Sequence, residues 1–158
     1  MVTPRFTMVV LLVEDLCDAD LFVTAFVARL GPGGRLVASS AGHPPGLVVR
    51  RSGEVVALQA GGPPPGVMED ALYDVPEMVL GRGDVLVAYT DGLIEARGKG
   101  NALFGVEAVL NAVRGASHLS AADLRARILH AVAGHRAGEA LQDDLTLVVA
   151  RVTEGGMS

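Results

Sequence analysis

The run Asp84-Val-Leu-Val-Ala-Tyr-Thr-Asp91-Gly92-Leu-Ile-Glu-Ala96 constrains the fold more than any other part of the chain. Val85 to Tyr89 form a short apolar stretch rich in β-formers, set between the turn residues Gly81-Arg-Gly and the pair Asp91-Gly92. Bounded that way, the stretch reads as a buried strand. A carboxylate at the end of such a strand is held firmly, and the glycine after it lets backbone approach closely. That combination suits a hard cation. An Asp-Gly pair by itself is more often only a turn.

A second stretch shifts the balance. Gln142-Asp143-Asp144-Leu-Thr-Leu-Val-Val-Ala-Arg151 places two adjacent carboxylates at the start of another apolar strand. If the two strands are antiparallel neighbours, Asp91 and Asp143 meet at one end of a sheet. Two carboxylates gathered there repel each other unless a cation or a proton intervenes. Taken alone, Asp143-Asp144 would be a solvated strand start.

Composition narrows the field. A chain of 158 residues, 50% hydrophobic and 20% charged, fits one globular domain with a sizeable core. The net charge is -5 and the arginines are scattered, so no basic stripe is offered to nucleic acid. The single cysteine, Cys17, excludes an intramolecular disulfide and a Cys-rich zinc site, and fits a reducing, cytoplasmic setting. Apolar runs such as Met8 to Val13 are too short to span a bilayer, and no signal peptide is evident.

Residues 1–20 form a poorly defined segment, in which Met8 to Val13 is a strand or the end of a buried helix. Glu14, Asp15, Asp18 and Asp20 then read as a solvated turn. Val-Leu-Leu-Val-Glu14-Asp15 also looks like the acidic pair of a response-regulator receiver domain. That reading lacks the alternating strand–helix pattern and a suitably placed lysine, since Lys99 sits in a glycine-rich loop. From residue 21 the signal is β: 21–29, then 35–41 after the turn Gly31-Pro-Gly-Gly34, then a hairpin of 46–50 and 54–58 about Gly53. Residues 61–66, with three prolines, are expected to form a loop. Residues 72–80 resume as a strand, which Pro76 assigns to an edge or a bulge. Helical spacing of Val106, Val109, Leu110 and Val113 predicts a helix over 104–114. Ser120 with Asp123 caps a second, whose stripe is Leu124, Ile128, Leu129 and Val132. Strands, two helices and a last strand predict an α+β fold, an antiparallel sheet covered by helices.

The pieces Phe22-Val-Thr-Ala25, Ala41-Gly-His-Pro-Pro45, Gly61-Gly with Pro65-Gly66, Gly83-Asp84, Tyr89 to Ala96, Leu103-Phe-Gly105 and Asp143-Asp-Leu-Thr146 occur in order. Together they resemble the SpoIIE-like branch of the PPM family of metal-dependent protein serine/threonine phosphatases. The resemblance implies an antiparallel β-sandwich covered by helices over residues 21–153, with 154–158 as a tail. It implies a binuclear Mn²⁺ or Mg²⁺ site at one end of the sandwich, where a water attacks phosphorus without a covalent phosphoenzyme. Such chemistry needs positioning and charge more than side-chain reactivity. By motif, Asp91 and Asp143 are metal ligands. Gly92 and Asp144 support them, and His43 is a supporting residue rather than a general acid. His118, His130 and His135 read as surface residues. The implied partner is a phosphorylated anti-anti-sigma-like protein; a catalytically dead phosphoprotein-binding module of the same fold is the alternative.

One departure qualifies the resemblance. The family's early Asp and its Gly-Asp-x-x-Gly-His-Gly type motif find no match before Phe22. The chain therefore corresponds to the C-terminal portion of the domain and lacks the acids that bridge the metals. A misassigned start, a cut chain and a degenerate member all fit this pattern. Fewer carboxylates weaken divalent binding, so little phosphatase activity is expected of the chain by itself. Exposed sheet edge and apolar face also imply a homodimer.

Overall fold

The computed structural model describes residues 8–15, 23–59, 61–153 and 156–157. Its centre is the predicted strand, β8 (Val85–Tyr89), buried along its whole length. Five strands make its sheet, in the order β10 (Gly156–Met157), β9 (Leu147–Thr153), β8, β4 (Gly46–Val49) and β5 (Val55–Leu58). All neighbours in this sheet are antiparallel, with Tyr89 opposite Leu147 and Val87 opposite Leu47.

The other sheet contains β1 (Met8–Asp15), β2 (Val23–Leu30) and β3 (Arg35–Ala41) in sequence. On the free side of β3 lie β6 (Gly61–Gly62), which runs parallel to it, and β7 (Glu77–Val79), which runs antiparallel. Three helices follow β8 in sequence: the single turn α1 (Asp91–Ile94), α2 (Gly105–Val113) and α3 (Ala121–Arg136).

The two sheets face each other across one apolar layer that includes Phe26, Leu36, Ala38, Val48, Leu86 and Ala88. A second layer lies between β4–β8–β9 and the helices, with Val85, Val87 and Tyr89 against Leu93, Val109, Leu124 and Ile128. Side chains alternate across a strand. Leu86 and Ala88 thus serve one layer while Val85, Val87 and Tyr89 serve the other, which is why β8 is an unbroken apolar run. The helices grow from expected signals. Ser120 Oγ accepts from the Asp123 amide at 3.1 Å and opens α3. Leu124, Ile128 and Val132 are its buried stripe, with Leu129 half-buried beside it.

Several expectations need correction. The segment Met8 to Val13 belongs to a strand that continues through Glu14 and Asp15, paired with β2 over eight positions. Those two acids are thus part of a ladder rather than of a turn, and an antiparallel sheet is not the scaffold of a receiver domain. Asp18 and Asp20 lie outside the described residues. Gly61 and Gly62 pair with Ser40 and Ala41, so the proline loop begins in the sheet. Only Glu77–Val79 of the expected strand over 72–80 joins the ladder. It takes the edge position that Pro76 dictates, and the carbonyl of Pro76 accepts from the Ala38 amide at 3.2 Å. The tail contributes the short β10 on the edge of β9.

Candidate metal centre

Asp91 and the Asp143 segment come together at one end of β8 and β9. Asp91 is not the last residue of the strand, as the sequence suggested. The ladder stops at Tyr89, Thr90 is extended, and Asp91 opens the single turn α1. Asp143 and Asp144 likewise stand in the connection ahead of β9, which starts at Leu147. Thr90 and Thr146 continue the pairing beyond the ladder, the Thr90 amide donating to the Thr146 carbonyl at 3.1 Å.

Close approach of the two segments requires Gly92. A Cβ there would lie 2.4 Å from the Asp144 carbonyl oxygen, inside any tolerable contact. Gly92, Glu95, Ala96, Gln142 and Asp143 line a small cavity at this corner. The Asp143 carboxylate accepts from the Asp144 amide at 2.7 Å and is exposed. Asp144 offers its backbone to the site: its amide goes to Asp143 and its carbonyl to Thr90. The Oδ1 of Asp91 is buried and has no hydrogen-bond partner. Buried polar atoms are nearly always satisfied, and an unpartnered carboxylate oxygen is the kind of hard donor that suits a divalent cation.

His43 braces the same corner from the other sheet. Its Nε2 lies 3.2 Å from the Tyr89 carbonyl, which only accepts, so Nε2 carries the proton. Nδ1 is then the acceptor for the Thr24 hydroxyl at 2.9 Å. The local sequence explains the arrangement. Carried two residues past the end of the ladder, the register of β4 on β8 brings Pro45 toward Tyr89, and proline has no N–H to give. The imidazole meets that carbonyl instead. Burial pushes His43 below its ordinary pKa, against the Tyr89 carbonyl and the Asp91 charge, which both favour the cation. It is a neutral ring with both nitrogens engaged, bonded as a supporting residue. The Tyr89 phenol, buried without a partner, is pushed up by burial to about 12 and stays neutral.

The other histidines lie elsewhere. His118 and His130 are exposed. His135 is half-buried, not a free surface residue: it packs edge-on against Phe104 and lies 2.8 Å from the Ala102 carbonyl. It thereby ties α3 to the glycine-rich loop around Lys99. Sequence reasoning missed Thr90, whose only signal was a hydroxyl next to the Asp-Gly pair.

Two facing sheets with helices packed against one of them match the fold of solved PP2C phosphatase domains. Three solved structures share it. The SiaA PP2C domain of Pseudomonas aeruginosa superposes with a TM-score of 0.73 at 17% identity, over 83% of this chain and 52% of that one. The PP2C phosphatase domain of SpoIIE from Bacillus subtilis gives 0.72 at 20% identity, over 87% and 40%. The RsbU and RsbW domains of a Mycobacterium tuberculosis protein give 0.58 at 26%, over 80% and 35%. Among curated proteins, Protein IcfG of Synechocystis is 26% identical over 132 residues, 83% of this chain but 21% of IcfG. The family model of Stage II sporulation protein E (SpoIIE) matches residues 7–153. The chain belongs to the SpoIIE family, and its fold is that of PP2C phosphatase domains. It spans about half or less of the length of these relatives.

Relatives of this fold include a SpoIIE phosphatase domain presoaked with Mn and RsbX in complex with magnesium. The corner fits one such ion in part. Asp91 supplies a buried, unpartnered hard oxygen, and Asp143 lines the small cavity next to Gly92. Among the described residues no group of three or more His, Cys, Asp or Glu side chains gathers there or elsewhere, so a complete binuclear shell is not formed by them.

Proposed function

We propose that the chain carries part of a metal-dependent phosphoserine/phosphothreonine phosphatase domain, with Asp91 and Asp143 on one side of its Mn²⁺ or Mg²⁺ centre. The unpartnered buried oxygen of Asp91, at the sheet end shared with Asp143, carries this reading. A divalent ion supplies Lewis acidity toward a phosphoryl oxygen and makes water a nucleophile at neutral pH. The residues contribute position. Asp91 is fixed by the end of β8, Gly92 admits the Asp144 backbone, and His43 holds the Tyr89 carbonyl next to the acid. By family analogy the substrate is a small phosphorylated anti-anti-sigma-type protein.

That no three His, Cys, Asp or Glu side chains gather among the described residues favours a second reading, a phosphoprotein-binding module of the same fold that does not hydrolyse. One experiment separates the two. The chain is incubated with a phosphoserine protein and Mn²⁺, and both phosphate release and complex formation are followed. Mn²⁺-dependent release that disappears in Asp91→Ala supports the enzyme. Stable binding without release, unaffected by Asp91→Ala, supports the module. The chain alone is expected to turn over slowly, because two carboxylates hold a divalent ion weakly.

No described helix is long and apolar enough to cross a membrane. Val27 and Val79 lie exposed on the first sheet, away from the helices. Self-association through that face is part of the proposal, and a strictly monomeric elution at high concentration would count against it.

A further inference from the structure

The corner depends on a residue that is not itself an acid. Thr90 donates its amide to the Thr146 carbonyl at 3.1 Å. Its hydroxyl accepts from the Thr146 amide at 2.9 Å and donates to the Asp144 carbonyl at 3.2 Å. Every hydrogen bond found between residues 143–146 and the rest of the described chain ends on Thr90. The stretch before them is exposed from Glu139 to Asp144, so little else holds it. Thr90 is 5% exposed and is joined directly to Asp91.

We infer that Thr90 is a positioning residue that sets the distance and orientation between Asp91 and the Asp143 segment, and so sets the affinity of the divalent site. This rests on the metal-dependent reading above. The physical reason is rigidity. A ligand on an exposed connection loses conformational freedom when it binds an ion, and a connection already clamped has less to lose. A side chain that accepts one bond and donates another from a single oxygen clamps in two directions at once. Serine can do the same. Valine keeps the shape and loses both bonds, leaving the Thr146 amide and the Asp144 carbonyl without their partner.

The test compares wild type, Thr90→Val, Thr90→Ser and Asp91→Asn as full chains. Mn²⁺ binding is followed by loss of the electron paramagnetic resonance signal of free hydrated Mn²⁺, and metal-free stability by thermal unfolding. Thr90→Val should weaken Mn²⁺ affinity about tenfold or more, the range for removing a group that orients a metal ligand. Thr90→Ser should restore it to near wild type. A Thr90→Val protein that melts earlier but binds Mn²⁺ as wild type does would show a merely structural threonine and overturn the inference. If Thr90→Val does not fold, amide exchange in wild type decides. The Thr146 amide should be protected and become more so on adding Mn²⁺; no change on adding the ion overturns the inference. If wild type takes up no Mn²⁺, or Asp91→Asn takes it up equally well, the metal-dependent reading fails and this inference falls with it.

Discussion

β8 carries an aspartate near each end, and the two are treated in opposite ways. Asp84, just before the strand, is 5% exposed and saturated with donors: Arg50 Nη1 at 2.8 Å, the Arg51 amide at 2.8 Å and the Gly81 amide at 2.9 Å. Arg50 also donates to the Val79 carbonyl at 2.7 Å, so this cluster joins the edge of one sheet to the other. Burial alone would raise the Asp84 carboxyl, but Arg50 and the two amides outweigh it and hold the group below the ordinary carboxylate range. Asp91, just past the other end, has a buried oxygen with no donor at all. The same residue type on the same strand is spent on stability at one end and left uncompensated at the other. A fold tolerates an unsatisfied carboxylate where something else is meant to satisfy it.

The contrast can be broken from either side. The largest effect should come from Asp84→Ala, which strands a half-buried guanidinium and two amides. It should cost about 3 kcal/mol in chemical denaturation, with or without Mn²⁺. Asp91→Asn should do the reverse: metal-free stability should be unchanged or slightly raised, since the carboxylate oxygen it replaces has no partner to lose. What it should lose is the stabilisation by Mn²⁺, which in wild type reaches about 2.7 kcal/mol at a hundredfold excess over Kd. An equal loss of metal-free stability in both variants would dissolve the distinction between the two ends.

Gly92→Ala should cost about 2 kcal/mol by forcing the Asp144 carbonyl away, and should weaken Mn²⁺ binding as well. The pH dependence sharpens the comparison further. Asp84 has a lowered pKa when folded, so its contribution is complete above the ordinary value of 3.8 and is lost as pH falls through the folded value. Acid unfolding of wild type should therefore be steeper in this range than that of Asp84→Asn. The smallest effect belongs to Asp144→Ala. Its backbone serves the corner while its carboxylate is exposed, so stability should change by less than about 0.5 kcal/mol.

Much of this was legible in the sequence. The strands on either side of Gly31–Gly34, the hairpin about Gly53, β8, α2 and α3 announced themselves through periodicity and turn residues, because burial imposes those patterns. That the segments carrying Asp91 and Asp143 share one end of a sheet followed from treating two apolar strands as antiparallel neighbours. What stayed hidden was set by partners distant in sequence. The pairing of β1 depends on β2 accepting a neighbour, which six apolar residues followed by two acids cannot reveal. The role of Thr90 depends on Thr146, fifty-six residues away. The bonding of His43 depends on a carbonyl that Pro45, past the end of the ladder, has no N–H to serve. The acids could be located by motif, but their differing fates at the two ends of β8 could not, since burial and donors are properties of the fold.

The imidazole that spans the sandwich has a further use. Its two nitrogens answer to Thr24 in one layer and to Tyr89 in the other, so the ring measures the gap between them. The Nε2 proton is shielded from solvent while the layers stay in register and is released when they part. Its magnetic resonance line is therefore a natural gauge, needing no label, that reads shearing of the sandwich one residue away from the Thr90 clamp.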